Sequence, residues 1–296
     1  MKRLYLILPI LAGFMFGSSG IFVRTMTQNG VDPTTLLFLR FSIAIIPIAI
    51  AILLTDRKLF KIKLDDIPLF IICSICIIGL NLCYNNSMNT IPLSLAAVLL
   101  STAPIFVLAL AYVFFGEKIT QKKLICMLIA IFGCLLITGV LEENTISIPL
   151  SGILSGIGAA LFWAVYFIAS KKSIDSGKHT FTILFYSVIF ISIVLIPFTS
   201  ISQITQFVSI NPLLATIFLV VHSTFSFALP YILSTVSLNY MDSGISSIFL
   251  SGAEPSAALI FGFILYSELP TPLMFCGFIL TIMAMIMLSK YDNAKQ

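Results

Sequence analysis

The sequence predicts an all-α integral membrane protein of ten transmembrane helices, arranged as two inverted five-helix repeats. Composition, the length of the apolar runs and internal similarity between the two halves lead to this prediction. Of the 296 residues, 59% are hydrophobic and only 9% are charged, and the mean hydropathy is +1.12. Soluble domains carry about 25% charged residues, so the composition excludes them and predicts a chain that lies mostly in lipid.

Ten apolar runs separated by polar segments are each long enough to cross a bilayer. A helix rises about 1.5 Å per residue, so about 20 residues cross roughly 30 Å of hydrocarbon. None of the runs alternates polar and apolar residues, as the strands of a transmembrane barrel do. We call the runs spans 1 to 10, and in chain order they are Leu4–Val23, Thr34–Leu54, Ile67–Met88, Leu93–Phe115, Leu124–Val140, Leu150–Ser170, Phe181–Phe198, Leu213–Ser237, Ile245–Ser267 and Leu273–Leu288.

The distribution of lysine and arginine predicts the orientation of the spans. Cationic residues concentrate in the cytoplasmic segments of membrane proteins. With the amino terminus in the cytoplasm, only Arg24 falls in an outer segment, and Arg40 lies within span 2. We therefore expect a multi-pass protein of the cell (cytoplasmic) membrane with both termini in the cytoplasm. The formal net charge of +4 then has a topological origin and does not predict a nucleic-acid partner.

The two halves of the chain are similar to each other. The stretch "AGFMFGSSGIFVRTMTQNGVDPTTLLFLR" from Ala12 aligns without a gap with "AALFWAVYFIASKKSIDSGKHTFTILFYS" from Ala159. A second block aligns "PIFVLALAYVFFGEKIT" from Pro104 with "PSAALIFGFILYSELPT" from Pro255. Just before the prolines the register differs by one residue, which leaves Glu254 without a counterpart in the first half.

The odd number of spans in each half makes the repeats inverted. Residues 1–145 form the first five-helix repeat and residues 146–296 the second, so the second repeat enters the membrane from the opposite side. Inverted repeats suit an alternating-access transporter, because one sequence in two orientations supplies two related conformations, with the substrate site near mid-membrane where the repeats meet. Duplication of a purely structural scaffold is the alternative.

Several motifs resemble those of a known transporter family. They are "GSSGIFVR" with its counterpart "ALFWAVYFIASKK", the arginine in "LLFLRFSIA", and "STAPIFVLALAYVFFGEKIT" with "SGAEPSAALIFGFILYSELPT". With the ten predicted helices, they resemble the EamA-type permeases of the drug/metabolite transporter superfamily over nearly the whole chain. The most specific feature is a proline thirteen residues before a helix-ending glutamate in both halves.

The resemblance implies an architecture and a class of function. It implies a basket of helices in which spans 1, 3, 4, 6, 8 and 9 surround a central cavity and spans 5 and 10 lie at the periphery. Members of the family move small metabolites, often exporting amino acids or related compounds, without nucleotide hydrolysis. The chain contains no G-x-x-x-x-G-K-[ST] phosphate loop. We expect no cofactor, and we expect the lipid bilayer, a small-molecule substrate and protons as partners.

Glu254 is the only acidic residue deep inside a predicted span. A charge at the centre of a bilayer costs roughly 2.5–3.5 kcal/mol on insertion scales. The side chain should therefore face a cavity, pair with a cation or be protonated. A carboxyl group placed there can exchange protons between the two sides of the membrane or bind a substrate ammonium group, so we predict a substrate-binding role.

Two prolines and two glycines indicate where spans bend or pack closely. Pro104 and Pro255 lie near the midpoints of spans 4 and 9, where each removes a main-chain hydrogen bond. Free carbonyls are tolerated where they face protein or water, so both spans should be kinked and face the interior. Gly13 and Gly17 allow a close approach of span 1 to a neighbour. We predict gating or hinge roles for these four residues, with a static kink and ordinary tight packing as alternatives.

Three further charged residues are assigned structural roles. Arg40 can pair with Glu254, bind a substrate carboxylate or extend to the interface. We favour a structural or gating role, since the resemblance implies that span 2 does not line the cavity. Glu117 and Glu268 end spans 4 and 9, where negative charge opposes the helix dipole. A nearby lysine, Lys118, Lys122 or Lys123, should therefore compensate Glu117.

Polar and aromatic residues on the spans that line the family's cavity are further substrate-binding candidates. Each has an ordinary explanation by itself, since Tyr and Trp favour membrane interfaces and Ser can bond to its own backbone. As a group they predict a pocket with hydrogen-bonding and aromatic walls, suited to a zwitterionic or mildly polar solute. The candidates are Asn81, Tyr84, Asn85, Trp163, Tyr166, His222, Tyr231 and Ser251.

The predicted function is that of a secondary active transporter that exports small organic metabolites such as amino acids, driven by protons or by the gradient of the solute, and not that of an enzyme. An intramembrane serine hydrolase that uses Ser18 or Ser19 with His222 is one alternative, and a passive channel is another. A single catalytic dyad gives no reason for ten inverted helices. Cys73 and Cys76 form a C-x-x-C, but no second pair accompanies them, so we predict no metal site.

Overall fold

The chain folds into α-helices joined by short connections. The computed structural model describes residues 4–141, 149–267 and 269–295, and within these ranges it contains no β-strand. In chain order the helices are α1 (Ile7–Gly17), α2 (Ser19–Gln28), α3 (Pro33–Thr55), α4 (Ile67–Thr90), α5 (Leu93–Ser101), α6 (Ala103–Phe115), α7 (Gln121–Ile137), α8 (Leu150–Asp175), α9 (Thr180–Leu195), α10 (Ile201–Ile210), α11 (Pro212–Ser223), α12 (Leu229–Ser237), α13 (Ser243–Tyr266) and α14 (Pro272–Lys295).

The helices account for the predicted spans. In the part of the chain that the structure describes, nine helical segments are long and apolar enough to cross a membrane. The remaining span, span 5, corresponds to α7, whose 17 residues lie at the lower end of the about 17–25 residues that a bilayer requires. The prediction of an all-α membrane protein is confirmed, with one span shorter than the others.

Spans 1 and 4 are each divided into two helices. The division in span 1 falls at Ser18, whose hydroxyl donates to the carbonyl of Met15 (2.6 Å). The division in span 4 falls at Thr102, next to Pro104. Because Pro104 has no N–H for the carbonyl four residues earlier, α5 cannot continue through it as a regular helix. In contrast, α13 runs unbroken through its internal proline.

Span 8 and the segment before it also differ from the prediction. A π-helical segment, Thr224–Ala228, separates α11 from α12 within span 8. The helix α10 has no counterpart among the predicted spans, because its 10 residues are too few to cross a bilayer. Its Phe207 is buried in a cluster with Met26 and Leu219, which fixes α10 against the ends of neighbouring spans.

The start of α3 is fixed by a hydrogen-bonded aspartate. Asp32 accepts from the main-chain N–H groups of Thr34 (2.8 Å) and Thr35 (3.0 Å) and from the Thr35 hydroxyl (2.7 Å). These bonds satisfy N–H groups that have no partner inside the helix. Partial burial alone would raise the pKa of Asp32, but the hydrogen bonds from Thr35 and Thr34 outweigh it and hold the pKa below its ordinary value.

The first and last spans meet at one side of the bundle. Leu6, just before α1, shares a hydrophobic cluster with Met241 and with Leu288 of α14. We call this side the terminal face and the other side the opposite face. Ten spans return the chain to the face where it began.

The packing of the helices repeats between the two halves. In the first half α1 packs on α13 and α12, and in the second half α8 packs on α6 and α4. Span 1 therefore contacts spans 9 and 8 as span 6 contacts spans 4 and 3. The self-related pairs, α3 with α9 and α7 with α14, also pack together. This pattern is that of two inverted repeats related by an approximate two-fold axis.

The helices α7 and α14 approach each other through glycine. A Cβ added to Gly277 would lie 2.6 Å from the carbonyl oxygen of Gly133, and a Cβ added to Gly133 would lie 2.9 Å from that of Gly277. Such distances leave no space for a side chain. The two glycines therefore set the closest approach of the two helices, as small residues do in membrane proteins.

We predict that Gly133→Ala lowers the thermal stability of the detergent-solubilised protein, because the new methyl group would lie 2.7 Å from the methyl carbon of Thr281. Overpacking of this kind costs about 1–3 kcal/mol. The matched control is Gly20→Ala, since a Cβ at Gly20 has no heavy atom within 4 Å. Equal melting temperatures for the two variants would contradict close packing of α7 on α14.

Candidate functional site

The middle of α13 lies directly against two glycines of α1. A Cβ added to Gly13 would lie 2.7 Å from the carbonyl oxygen of Leu250 and 3.1 Å from the main-chain nitrogen of Glu254, and one added to Gly17 would overlap the Glu254 carbonyl oxygen. The backbones of spans 1 and 9 therefore touch at the position of the carboxylate. A gating role for the two glycines stays a prediction.

Glu254 lies where α13 changes from buried to accessible. Every residue from Ser243 to Ala253 is buried, whereas the Glu254 side chain and several residues beyond it reach accessible surface. Among the described residues, none donates a hydrogen bond to the carboxylate or pairs with it. The bundle is therefore packed closed from the terminal face to Glu254, and the carboxylate is accessible at the end of the closed half.

Polar groups on three other helices lie near this carboxylate. Arg40 on α3, Tyr84 on α4 and Tyr231 on α12 all lie within electrostatic range of Glu254. A side chain on the lipid surface would not have neighbours on three other helices. Glu254 therefore faces the interior of the bundle.

One face of α4 supplies three of the predicted pocket residues. Asn81, Tyr84 and Asn85 stand three and four residues apart, so they share a helix face, and all three are partly exposed. The Asn81 amide donates to the carbonyl of Ile77 (2.7 Å). In the part of the chain that the structure describes, the Tyr84 hydroxyl and the Asn85 amide have no hydrogen-bond partner, so both are available to a ligand beside Glu254.

Three aromatic candidates form a packed wall and not an open surface. Trp163, Tyr166 and Tyr231 are buried, and their rings contact one another with centroids 5.3–5.6 Å apart. The Tyr166 hydroxyl is 3.0 Å from the hydroxyl of Thr235. Ser251, one turn before Glu254, is also buried. These residues support the site from behind in this conformation, and their contact with a substrate stays a prediction.

His222 is fully buried at the end of α11. Its Nδ1 lies 3.3 Å from the hydroxyl of Ser226, and its ring stacks on Phe22. The hydroxyl of Ser18 donates to the carbonyl of Met15. Ser18 and His222 thus have other hydrogen-bond partners. Ser18 is not hydrogen-bonded to His222 as a nucleophile is to its general base.

Arg40 makes one hydrogen bond from the middle of α3. Its Nη2 donates to the main-chain carbonyl of Ser226 (2.6 Å), and its guanidinium carbon lies 5.5 Å from the ring centroid of Phe227. It forms no direct ion pair with Glu254. The bonded carbonyl lies in the π-helical segment of span 8, which sequence reasoning did not identify, although the proline at position 230 was an available signal.

The terminal face is closed by carboxylates at the start of α13. Glu117 accepts from the main-chain N–H groups of Ser243 (2.9 Å) and Gly244 (3.4 Å), so the helix N-terminus compensates its charge. Lys123, which is fully buried, pairs instead with Asp242 (2.5 Å). Of the three lysines expected to compensate Glu117, Lys123 therefore does not do so. The other helix-ending glutamate, Glu268, lies outside the described residues.

Nothing in the described ranges groups three or more His, Cys, Asp or Glu side chains as a metal site would require. Cys73 and Cys76 are free and buried.

Comparisons with known proteins agree with this architecture. The model of the EamA-like transporter family matches residues 3–139 and 150–290. A protein of Archaeoglobus fulgidus described as an uncharacterised transporter is 30% identical over 242 residues, covering 80% of this chain and 82% of its own. The pseudopaline exporter CntI of Pseudomonas aeruginosa strain UCBPP-PA14 is 23% identical over 300 residues, covering 96% and 95%. One crystal structure superposes with a TM-score of 0.79 at 13% identity, covering 99% and 98%, and shows the same fold.

We predict that Glu117→Ala lowers the melting temperature of the detergent-solubilised protein by about 5 °C, since hydrogen bonds to a charged group contribute about 1.5–3 kcal/mol. The matched control is Lys118→Ala, which changes an exposed neighbour. If both variants melt with the wild type, the Glu117 carboxylate does not hold the start of α13.

Proposed function

This chain belongs to the EamA-like transporter family, and from that premise we propose that it is a secondary active transporter that exports small organic metabolites, amino acids or related amines, by alternating access. The observation that carries the proposal is the carboxylate of Glu254, which is accessible midway along α13 and has no partner in the described part of the chain. We further propose that it is not an enzyme. Relatives described as transporters and the separate bonding of Ser18 and His222 support this.

The chemistry of the site favours a substrate with a positively charged amine. An unpaired carboxylate in a bundle interior attracts an ammonium group or a proton, because either removes the cost of an isolated charge. The Tyr84 hydroxyl and the Asn85 amide can then bind the polar remainder of the substrate. A substrate with several negative charges would be repelled by Glu254, since Arg40 is already bonded to Ser226.

The distribution of buried residues supports an alternating-access cycle. The half of α13 next to the terminal face is packed closed, and α2, at the opposite end of span 1, is largely accessible. With both termini in the cytoplasm, as the lysine and arginine distribution predicts, this conformation opens outward. In the inward-open state the repeat of residues 1–145 would adopt the present arrangement of residues 146–296, and the reverse. The helices would bend at Pro104 and Pro255 and slide at the glycines of α1.

Export can be driven if Glu254 binds either a proton or the substrate amine. A proton that enters from outside would displace the amine into the external solution, and release of the proton inside would allow the next amine to bind. This exchange couples the two fluxes through one carboxylate. The name of the Pseudomonas aeruginosa relative, a pseudopaline exporter, supports the outward direction.

We predict that Glu254→Gln abolishes the response of transport to a pH gradient. Purified protein in proteoliposomes would first be tested by counterflow of labelled amino acids, amines and nucleosides, which also separates a carrier from a passive channel. For the compound transported best, the variant should take up at least about tenfold less, because a charge-assisted bond of about 1.5–3 kcal/mol is lost.

The control for this experiment is Asp65→Asn, which neutralises an exposed carboxylate far from α13. It should keep the wild-type rate and pH dependence. The coupling proposal would be overturned by a Glu254→Gln variant with the wild-type rate and the wild-type response to pH.

A further inference from the structure

Two irregular features meet at one hydrogen bond. Arg40 is an arginine inside a membrane span, and Thr224–Ala228 is a π-helical break inside another. They are joined because Nη2 of Arg40 donates to the main-chain carbonyl of Ser226 at 2.6 Å. The carbonyl oxygen belongs to the broken segment, which suggests that the arginine and the break depend on each other.

The proline that follows explains why this carbonyl needs a donor. In a regular α-helix the carbonyl of Ser226 accepts from the main-chain N–H four residues later. That residue is Pro230, which has no N–H. A carbonyl without a donor inside a bilayer costs several kcal/mol unless another group supplies the bond.

We propose that Arg40 is a positioning residue of the transport site, whose guanidinium replaces the main-chain N–H that Pro230 lacks and thereby fixes the π-helical segment of span 8 and the Tyr231 that follows it. Arginine suits this task better than lysine, because a planar guanidinium donates along one edge while its face covers a ring. The ring is Phe227, next to the bonded residue.

A continuous set of ring contacts connects Arg40 to the part of α1 that packs on the main chain of Glu254. Phe227 packs on Tyr231 with centroids 4.4 Å apart, and Tyr231 packs edge-on against Phe16 of α1 at 5.2 Å. The next residue along α1 is Gly17, which lies against the Glu254 backbone. Displacement of the broken segment would therefore move Tyr231 and the α1 to α13 contact together.

The equivalent contact between span 7 and span 3 provides an internal comparison. The gapless alignment from Ala12 pairs Arg40 with Ser187, and the register that pairs Ser87 with Ser237 pairs Leu80 with Pro230. There α4 is unbroken from Ile67 to Thr90, so the residue at Leu80 keeps its main-chain donor and no arginine is present. The arginine and the proline thus occur together at the contact of span 2 with span 8 and are absent together from the equivalent contact of span 7 with span 3.

A double-mutant cycle tests the helix-break role by melting temperature in detergent. Arg40→Met should lower the melting temperature by about 5 °C, since a hydrogen bond from a charged donor is lost. Pro230→Ala restores an N–H, so the double variant Arg40→Met/Pro230→Ala should recover most of that loss. The proline control is Pro212→Ala, because Pro212 is the first residue of α11, where no intrahelical bond is missing.

The cycle has a definite negative result. If the double variant loses the sum of the two single effects, or if Pro212→Ala restores Arg40→Met as well as Pro230→Ala does, the proposal is overturned. Arg57→Met, which removes an exposed arginine, should melt with the wild type.

The effect on the site rests on the proposed function and is measured by transport kinetics. Fewer folded molecules would lower Vmax alone, whereas a displaced site should raise KM about tenfold in Arg40→Met. Pro230→Ala in the same protein should bring KM back, and Arg40→Lys should restore it only in part. An unchanged KM in Arg40→Met would overturn the positioning role.

Absence of transport by the wild type would contradict the proposed function, while the melting-temperature cycle still tests the hydrogen bond.

Discussion

The structure depends on one constraint, which is that hydrocarbon offers no water to bond with a main-chain group or a charge. Each irregular place in the bundle has its own partner for this reason. The Ser18 hydroxyl bonds back to Met15 where span 1 divides. Arg40 donates to the carbonyl that Pro230 leaves free, and Glu117 accepts from the first N–H groups of α13. In the described part of the chain the partly exposed carboxylate of Glu254 has no such partner, and we take it as the centre of the proposed site.

The scaffold is symmetric but its chemistry is not. Span 1 packs on span 9 as span 6 packs on span 4, which gives the two related arrangements that alternating access requires. The glycines of α1 bring two backbones together at Glu254, whereas the corresponding positions of α8 are buried alanines, Ala160 and Ala164. The repeat alignment leaves Glu254 without a counterpart. Duplication therefore supplies the architecture, and residues that differ between the two halves supply the proposed site.

The main features of the fold were accessible from the sequence because they depend on length and polarity. Apolar runs must match the bilayer, so the spans were found with modest errors at their ends. The helix α10 was missed because a 10-residue helix has neither the length nor the hydrophobicity of a span. Pro104 signalled the division of span 4, but nothing comparable marks Ser18. In span 8 the sequence shows Pro230, but local residue preferences do not predict the π-helical segment or its hydrogen bond with Arg40.

The sequence by itself determined the membrane class, the inverted repeats, the family and the unusual position of Glu254, because each follows from composition, spacing or self-similarity along the chain. Tertiary structure alone decided that Trp163 and Tyr231 are buried against each other while Tyr84 stays partly exposed. It also decided that Arg40 bonds a carbonyl and not the carboxylate. The physical reason is that the partner of a side chain depends on which helices pack together and at what depth in the bilayer. The distances between side chains on different helices are fixed only when the spans have packed.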